Sequence, residues 1–191
     1  MPLTAATTDE SDTSYREFVR RATVGDPSVD FRAFRLACLK AGSCDPRGES
    51  KDLVSMRRSI QAKEYGNALK TAEAMIGRGF VNIEAHMICS QAYEAKNNSE
   101  KAKFHHDIAM SLIRSILATG DGKTKETAFE VIGTFEEYLI LRVLGLAGFP
   151  SQSVIPGKPH SYDLLEVSDP RTGQKVSVFF NIDLFFPPRG L

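Results

Sequence analysis

The sequence lacks an excess of charge of either sign. Lys and Arg total 24, Asp and Glu total 24, and the formal net charge is zero. No third of the chain carries the positive bias that binding to nucleic acid through its phosphates requires. We therefore expect no nucleic-acid partner.

The chain also lacks an apolar run of the roughly 20 residues that a membrane helix needs. The longest candidate, residues 139–149, is interrupted by Arg142, Gly145 and Gly148. The N-terminus has neither the basic start nor the apolar centre of a secretory signal. These features predict a cytoplasmic protein with no membrane association.

Cysteine is scarce, and metal-ligand patterns are absent. Cys38, Cys44 and Cys89 are odd in number and unevenly spaced, so we expect free thiols in a reducing compartment and no disulfide framework. His86 and Cys89 could face His106 across a helical hairpin, but these are positions where packing groups are needed. We predict no metal and no cofactor.

Apolar residues recur at helical spacing over residues 14–119, after a tail of residues 1–13 that we expect to be flexible. Ser14 followed by Glu17 is a capping-box pattern, which predicts the start of the first helix. Six helices are expected up to about Leu117. Phe34 is assigned to their core.

Part of this helical region has the spacing of a repeat. Ala68 and Ala102 lie 34 residues apart, which is the tetratricopeptide period. Tyr93, Ala102 and Ala109 fall where that motif has Tyr, Ala and Ala, whereas His86 replaces its Trp and its final Pro is missing. The pattern predicts a tetratricopeptide-like helical stack. The alternative is a helical hairpin with no repeat ancestry.

The periodicity changes after Gly120-Asp121-Gly122, which we interpret as a helix-ending turn. The segment lacks the earlier glycine of a phosphate loop and follows a helix. Residues 120–191 predict a small antiparallel sheet of three or four strands with one helix, opened by a capping box of Thr134 and Glu137. The predicted fold class is α+β, with this module packed on the helical stack.

Polar side chains within these otherwise apolar segments are candidates for a binding site. Alternation along the last strand places Phe180 on a core face and Asn181 opposite it, with Asp183 two residues further. The alternative is that Glu137 only caps Thr134 and that Asn181 and Asp183 only bond to turns. The candidate binding residues are Glu136, Tyr138, Gln152, Asp163, Asn181 and Asp183, with no catalytic residue assigned.

These motifs resemble the signature of a bacterial family of unknown function that joins tetratricopeptide-like helices to a C-terminal module. The resemblance implies a bacterial origin and supplies no activity. The residues that carry it are Gly120-Asp121-Gly122-Lys123, Glu126-Thr127-Ala128, Val131-Ile132, Glu136-Glu137-Tyr138, Gln152-Ser153, Tyr162-Asp163 and Phe180-Asn181-Ile182-Asp183, with Val29-Asp30-Phe31 and Phe34-Arg35 near the N-terminus.

Helical repeats offer concave binding surfaces and rarely carry catalytic groups. The leading hypothesis is therefore a non-enzymatic protein-binding or adaptor protein with a groove near Arg57, Arg58 and Tyr93. One alternative is a small-ligand-binding protein or a hydrolytic enzyme that uses the C-terminal polar cluster. A second alternative is a cytoplasmic immunity protein that neutralises a bacterial effector. The partner and the oligomeric state stay open.

Overall fold

The computed structural model describes residues 6–46, 51–146, 148, 150–157 and 159–186. These ranges contain seven α-helices and a four-stranded sheet, and the helices α1–α6 come first along the chain. The predicted α+β class with an N-terminal helical stack is confirmed. None of the helices in the described ranges has the length and hydrophobicity that crossing a bilayer requires.

The contacts divide the chain into two units. The first contains residues 1–45 and 49–113, and the second contains residues 46–48 and 114–191. The elements are α1 Ala6–Thr23, α2 Phe31–Lys40, α3 Lys51–Gln61, α4 Tyr65–Arg78, α5 Ile83–Ala95, α6 Ser99–Leu117, β1 Phe129–Glu130, α7 Thr134–Val143, β2 Ser151–Ile155, β3 Tyr162–Ser168 and β4 Lys175–Asn181.

The first helix begins earlier than the sequence predicts. α1 starts at Ala6, so Ser14 lies inside it and does not form the predicted N-terminal capping box. Of the expected tail, residues 6–13 are helical and residues 1–5 lie outside the described part of the chain.

The core of the helical unit is built from small side chains. Ala68, Ala72, Ala85, Ala92 and Ala102 are all buried in one cluster. Such residues let neighbouring helices approach closely, which increases the number of dispersion contacts between them. This packing is compatible with a tetratricopeptide-like stack. The repeat relationship itself stays a prediction.

A second cluster in the same unit is aromatic and confirms Phe34 as a core residue. Its fully buried ring lies 5.3 to 6.2 Å, centroid to centroid, from the rings of Tyr15, Phe18, Phe31 and Phe80. The buried Tyr15 hydroxyl accepts a hydrogen bond from the Phe80 backbone N–H at 2.8 Å. Aromatic packing and a satisfied backbone donor thus tie α1 and α2 to the turn before α5.

Five helices (α1, α2, α3, α5 and α7) end in the same backbone motif. A residue with positive φ follows each helix, and the next N–H bonds to a carbonyl five residues back. This is the Schellman motif, which satisfies carbonyls that a helix end leaves free. The positive-φ residues are Gly25, Gly42, Lys63, Asn97 and Gly145. Lys63 (φ 60°) bears the steric cost that glycine avoids.

Replacing Lys63 by glycine should therefore stabilise the protein. We expect Lys63→Gly to raise the free energy of unfolding by about 1 kcal/mol, because the left-handed conformation costs an L-residue about that much. Urea denaturation followed by far-ultraviolet circular dichroism measures the change.

The matched control is Lys70→Gly, in the interior of α4, which should lower the free energy of unfolding by about 1 kcal/mol. Equal destabilisation by both substitutions would show that the conformation of Lys63 carries no cost.

The motif that ends α2 also brings two cysteines together. The Ser43 N–H bonds to the Cys38 carbonyl at 3.0 Å, which folds the chain back on the helix. Cys38 and Cys44 then form a disulfide with a Cα–Cα distance of 5.7 Å, inside the usual range. The prediction of free thiols is wrong for this pair. Cys89 is free and buried, and its burial raises the pKa of the thiol to about 12, which makes it unreactive.

The sheet of the second unit has the strand order β1-β4-β3-β2. β2, β3 and β4 are antiparallel as predicted, but β1 spans two residues and is parallel to β4, so the prediction of an antiparallel sheet is wrong for this strand. Val178 and Phe180 are buried, which confirms the predicted core face of β4. Before β1, the N–H groups of Asp121 and Gly122 both bond to the Thr127 carbonyl, so the Gly-Asp-Gly segment is the expected turn.

Candidate functional site

The start of α7 places two glutamates inside the C-terminal unit. Gly133 is the residue that precedes the helix. The next residue, Thr134, donates its N–H to the Pro46 carbonyl at 3.1 Å. A Cβ at position 133 would lie 2.5 Å from that same oxygen, so this close approach requires glycine. Thr134 therefore lies within the helix, and the predicted Thr134–Glu137 capping box is wrong.

The two adjacent glutamates have different surroundings. Glu136 is buried and its Oε2 accepts a hydrogen bond from the Ile132 backbone N–H at 2.9 Å. Glu137 is 0% exposed, and neither of its carboxyl oxygens has a hydrogen-bond partner among the described residues. Burial raises the pKa of Glu137 to about 9, and the neighbouring carboxyl groups of Asp163 and Glu136 raise it further.

Asp163 faces Glu137 from the middle of the sheet. It lies in β3, directly opposite Val154 of β2 and Phe180 of β4, and is 2% exposed. Its Oδ2 accepts a hydrogen bond from Gln152 Nε2 at 2.6 Å, whereas no residue in the described ranges donates to its Oδ1. Burying a carboxylate beside another carboxyl group is costly unless a proton or a cation lies between them.

A short chain of hydrogen bonds leads from the surface to this carboxyl pair. The Tyr138 hydroxyl donates to Gln152 Oε1 at 3.0 Å, and the amide of Gln152 donates to Asp163. Tyr138 is 41% exposed and Gln152 is exposed on β2. The order from solvent inward is therefore Tyr138, Gln152, Asp163 and Glu137.

A neutral Glu137 accounts for much of this geometry. A carboxylic acid can donate its proton to a neighbouring carboxylate, whereas two ionised carboxyl groups repel each other. We therefore assign the proton of the pair to Glu137. Sequence reasoning gave Glu137 a capping role because Thr134 stands three residues before it. The sequence feature that could have indicated a buried glutamate is the pair Glu136-Glu137 in one turn of an apolar helix.

The structure brings together four of the six predicted binding residues: Glu136, Tyr138, Gln152 and Asp163 lie around the start of α7 and the adjoining strands. Asn181 is separated from them. It pairs with Tyr162 and points to the opposite face of the sheet from Asp163, since neighbouring residues alternate.

Asn181 and Asp183 organise the end of β4. The Asn181 side-chain oxygen accepts from the Asp183 N–H at 3.0 Å, and Asp183 Oδ1 accepts from the Ser161 N–H at 2.7 Å. The other Asp183 oxygen bonds to His160 Nδ1. The structure thus places both residues in the backbone-capping arrangement that was the alternative to a ligand site.

The residues of the predicted partner groove are largely engaged within the helical unit. Arg57 forms a two-bond ion pair with Glu84 at the start of α5. The Tyr93 hydroxyl donates to Glu73. Glu84 and Tyr93 lie about 13 Å apart along α5, so Arg57 and Tyr93 do not converge. Arg58 is exposed.

The histidines form a packed network. His86 is fully buried, and its Nε2 lies 2.7 Å from the Phe80 carbonyl, which can only accept. His86 Nδ1 must then accept from His105 Nδ1 at 3.0 Å. Burial lowers the pKa of His86 to about 3, which keeps it neutral. In the described ranges, no three His, Cys, Asp or Glu side chains are grouped so that they could hold a metal ion.

Residues 39–186 match a family described as "Domain of unknown function (DUF4919)". The chain belongs to this family. The DUF4919 match covers part of the first unit, most of the second unit and every candidate site residue, but not α1 or most of α2. It agrees with the resemblance to a family of unknown function. No curated protein and no solved structure matches the chain.

The assignment of the proton to Glu137 predicts a specific pH dependence. The folded-state pKa is raised above the ordinary 4.5, so the stability that Glu137 contributes is fully present below pH 4.5 and is lost as the pH rises toward 9. Glu137→Gln keeps a neutral side chain at every pH. We expect its stability, relative to that of the wild type, to increase with pH by up to about 1.4 kcal/mol per unit.

Urea denaturation at pH 5.5, 7 and 8.5 measures this difference. Glu166→Gln, on the opposite face of β3, is the matched control and should follow the wild type at each pH. Parallel pH profiles for wild type and Glu137→Gln would contradict a proton held on Glu137.

Proposed function

We propose that the protein is a non-enzymatic binding protein whose C-terminal unit receives an extended segment of another protein beside β2. The observation that carries this proposal is the edge strand β2, residues 151–155. It is the terminal strand of the sheet and its sequence, Ser-Gln-Ser-Val-Ile, contains no charge. The adaptor hypothesis from the sequence is thereby retained, with a different binding surface.

Edge strands of natural sheets are usually protected, because their unpaired N–H and C=O groups can pair with another chain. Charged side chains, bulges or a covering element are the common protections. In β2, Ser151 to Val154 are all exposed, and Val154 is 49% exposed. An incoming strand would gain main-chain hydrogen bonds from this edge and side-chain contacts from Val154 and the exposed Tyr138.

The helical groove near Arg57, Arg58 and Tyr93 is the competing surface for the same function. Its support is weaker, because Arg57 and Tyr93 already bond within the helical unit. An immunity protein would be a special case of the adaptor, with a bacterial effector as its partner. A small-ligand function is favoured by a separate observation, the unpaired carboxyl oxygens of Glu137 and Asp163.

A charge on the edge strand should abolish partner binding. We expect Val154→Lys to lose at least about tenfold in captured partner, because a lysine on an exposed edge disfavours strand addition. The measurement is affinity capture from lysate of the source cells, quantified by mass spectrometry against wild type.

Val54→Lys is the matched control, since Val54 is 52% exposed on α3, one turn before Arg57 and Arg58. Loss of the partner with Val54→Lys and retention with Val154→Lys would assign the function to the helical groove. A purified wild-type dimer that Val154→Lys separates in sedimentation would identify a second copy as the occupant. Either result would overturn the proposed role of β2.

The disulfide bears on where this binding takes place. The sequence predicts a cytoplasmic location, partly because its cysteines were expected to be free. The Cys38–Cys44 bond removes that argument, and it favours an oxidising compartment.

Thiol trapping in intact cells tests this inference. We expect a maleimide reagent, added under denaturing conditions, to label one cysteine (Cys89) before reduction and three after it. The Cys38→Ser/Cys44→Ser variant should show one label in both cases. Three labels without reduction would place the protein in a reducing compartment.

A further inference from the structure

Within the described part of the C-terminal unit, three buried carboxyl oxygens have no hydrogen-bond donor: Oε1 and Oε2 of Glu137, and Oδ1 of Asp163. The proton assigned to Glu137 can satisfy only part of this set, since one proton makes one hydrogen bond. Buried acceptors without donors are rare in folded proteins, and each costs free energy. We propose that Glu137 and Asp163 form a binding site for a guanidinium group.

A guanidinium fits the chemistry of this pair better than other cations do. It is planar, carries five N–H donors and bonds to carboxyl groups through two parallel hydrogen bonds. It is also less strongly hydrated than an ammonium group, so its transfer into a buried site costs less. Three unpaired oxygens on two carboxyl groups match a donor that presents several N–H groups in one plane.

Gln152 provides the route into the site. Its side chain is exposed, and its Nε2 donates to Asp163 Oδ2 at 2.6 Å, where a guanidinium N–H would bond. If the Gln152 amide rotated away, a charged guanidinium N–H could replace its neutral N–H as the donor to Asp163. Hydrogen bonds between charged groups are stronger than those between neutral groups. Tyr138, which donates to Gln152, lies at the exposed end of the same route.

Binding of a cation would also change the protonation of the pair. The titratable groups that face Glu137 are Asp163 from β3 and Glu136 from its own helix. Both are acidic, so an arriving positive charge favours loss of the Glu137 proton. Binding should therefore release up to one proton, and affinity should increase as the pH rises.

The guanidinium could belong to a small molecule or to an arginine side chain of a docked chain. Val154, on the exposed edge strand, directly opposes Asp163 across the β2–β3 pair. An arginine in a segment that pairs with β2 would approach the site from that side. The site itself does not depend on β2 as a docking edge, so it can be tested with a small probe.

The experiment is an NMR titration of the full-length, ¹⁵N-labelled protein with methylguanidinium at pH 6, 7 and 8. We expect saturable shifts at Glu137, Gln152 and Asp163, with affinity rising up to about tenfold per pH unit. Tetramethylammonium, which has the same charge but no N–H donor, should give no saturable shifts there. An acetylated Val-Arg-Val amide could bind more tightly than methylguanidinium to the wild type but not to Val154→Lys. That result would identify an arginine of a docked chain as the source of the guanidinium.

Variants separate a binding site from a merely buried acidic pair. Asp163→Asn should weaken methylguanidinium binding at least about tenfold, and Glu137→Gln should remove its pH dependence. Glu166→Gln should leave both unchanged. If Asp163→Asn does not fold, the comparison of methylguanidinium with tetramethylammonium on the wild-type protein tests the proposal. Equal shifts with both cations, or no saturable shifts at these residues, would overturn the proposal and leave the β2 hypothesis standing.

Discussion

The buried contact between the carboxyl groups of Glu137 and Asp163 constrains the C-terminal unit most strongly, because two like charges cannot be desolvated side by side. Three features of the fold bring this contact about. Gly133 lets α7 begin close against the Pro46 carbonyl, the register of β3 puts Asp163 between Val154 and Phe180, and the first turn of α7 directs Glu137 inward. A slip of one residue in β3 would move Asp163 to the other face of the sheet, so the register and the contact depend on each other.

Much of the fold follows from periodicity in the sequence. The helical spacing of apolar residues predicts six helices before residue 120, and alternation predicts the buried face of β4 through Val178 and Phe180. The parallel pairing of β1 could not be predicted, because a two-residue strand has too little pattern of its own. The Cys38–Cys44 bond was missed because it depends on the backbone turn after α2, which the spacing of cysteines does not reveal.

The candidate site shows why helix boundaries matter for function. Thr134 and Glu137 have the spacing of a capping box, but α7 begins after Gly133, so Glu137 is free of that role and faces Asp163. Asn181 and Asp183 were candidate binding residues in the sequence, yet they bond to backbone groups at the end of β4. The identities of the polar residues were thus visible in advance. Their division between structural and candidate binding roles required the register and the exact helix start.

The buried carboxyl pair requires Glu137 to carry a proton at neutral pH. A ¹³C NMR titration of the side-chain carboxyl carbons tests it most directly, with Glu137→Gln used to assign the Glu137 signal. We expect this carbon to keep its protonated chemical shift at pH 7 and to titrate far above the ordinary 4.5, toward a pKa of about 9. A Glu137 carboxyl carbon that already has its ionised chemical shift at pH 6, unchanged up to pH 10, would show that Glu137 holds no proton at neutral pH.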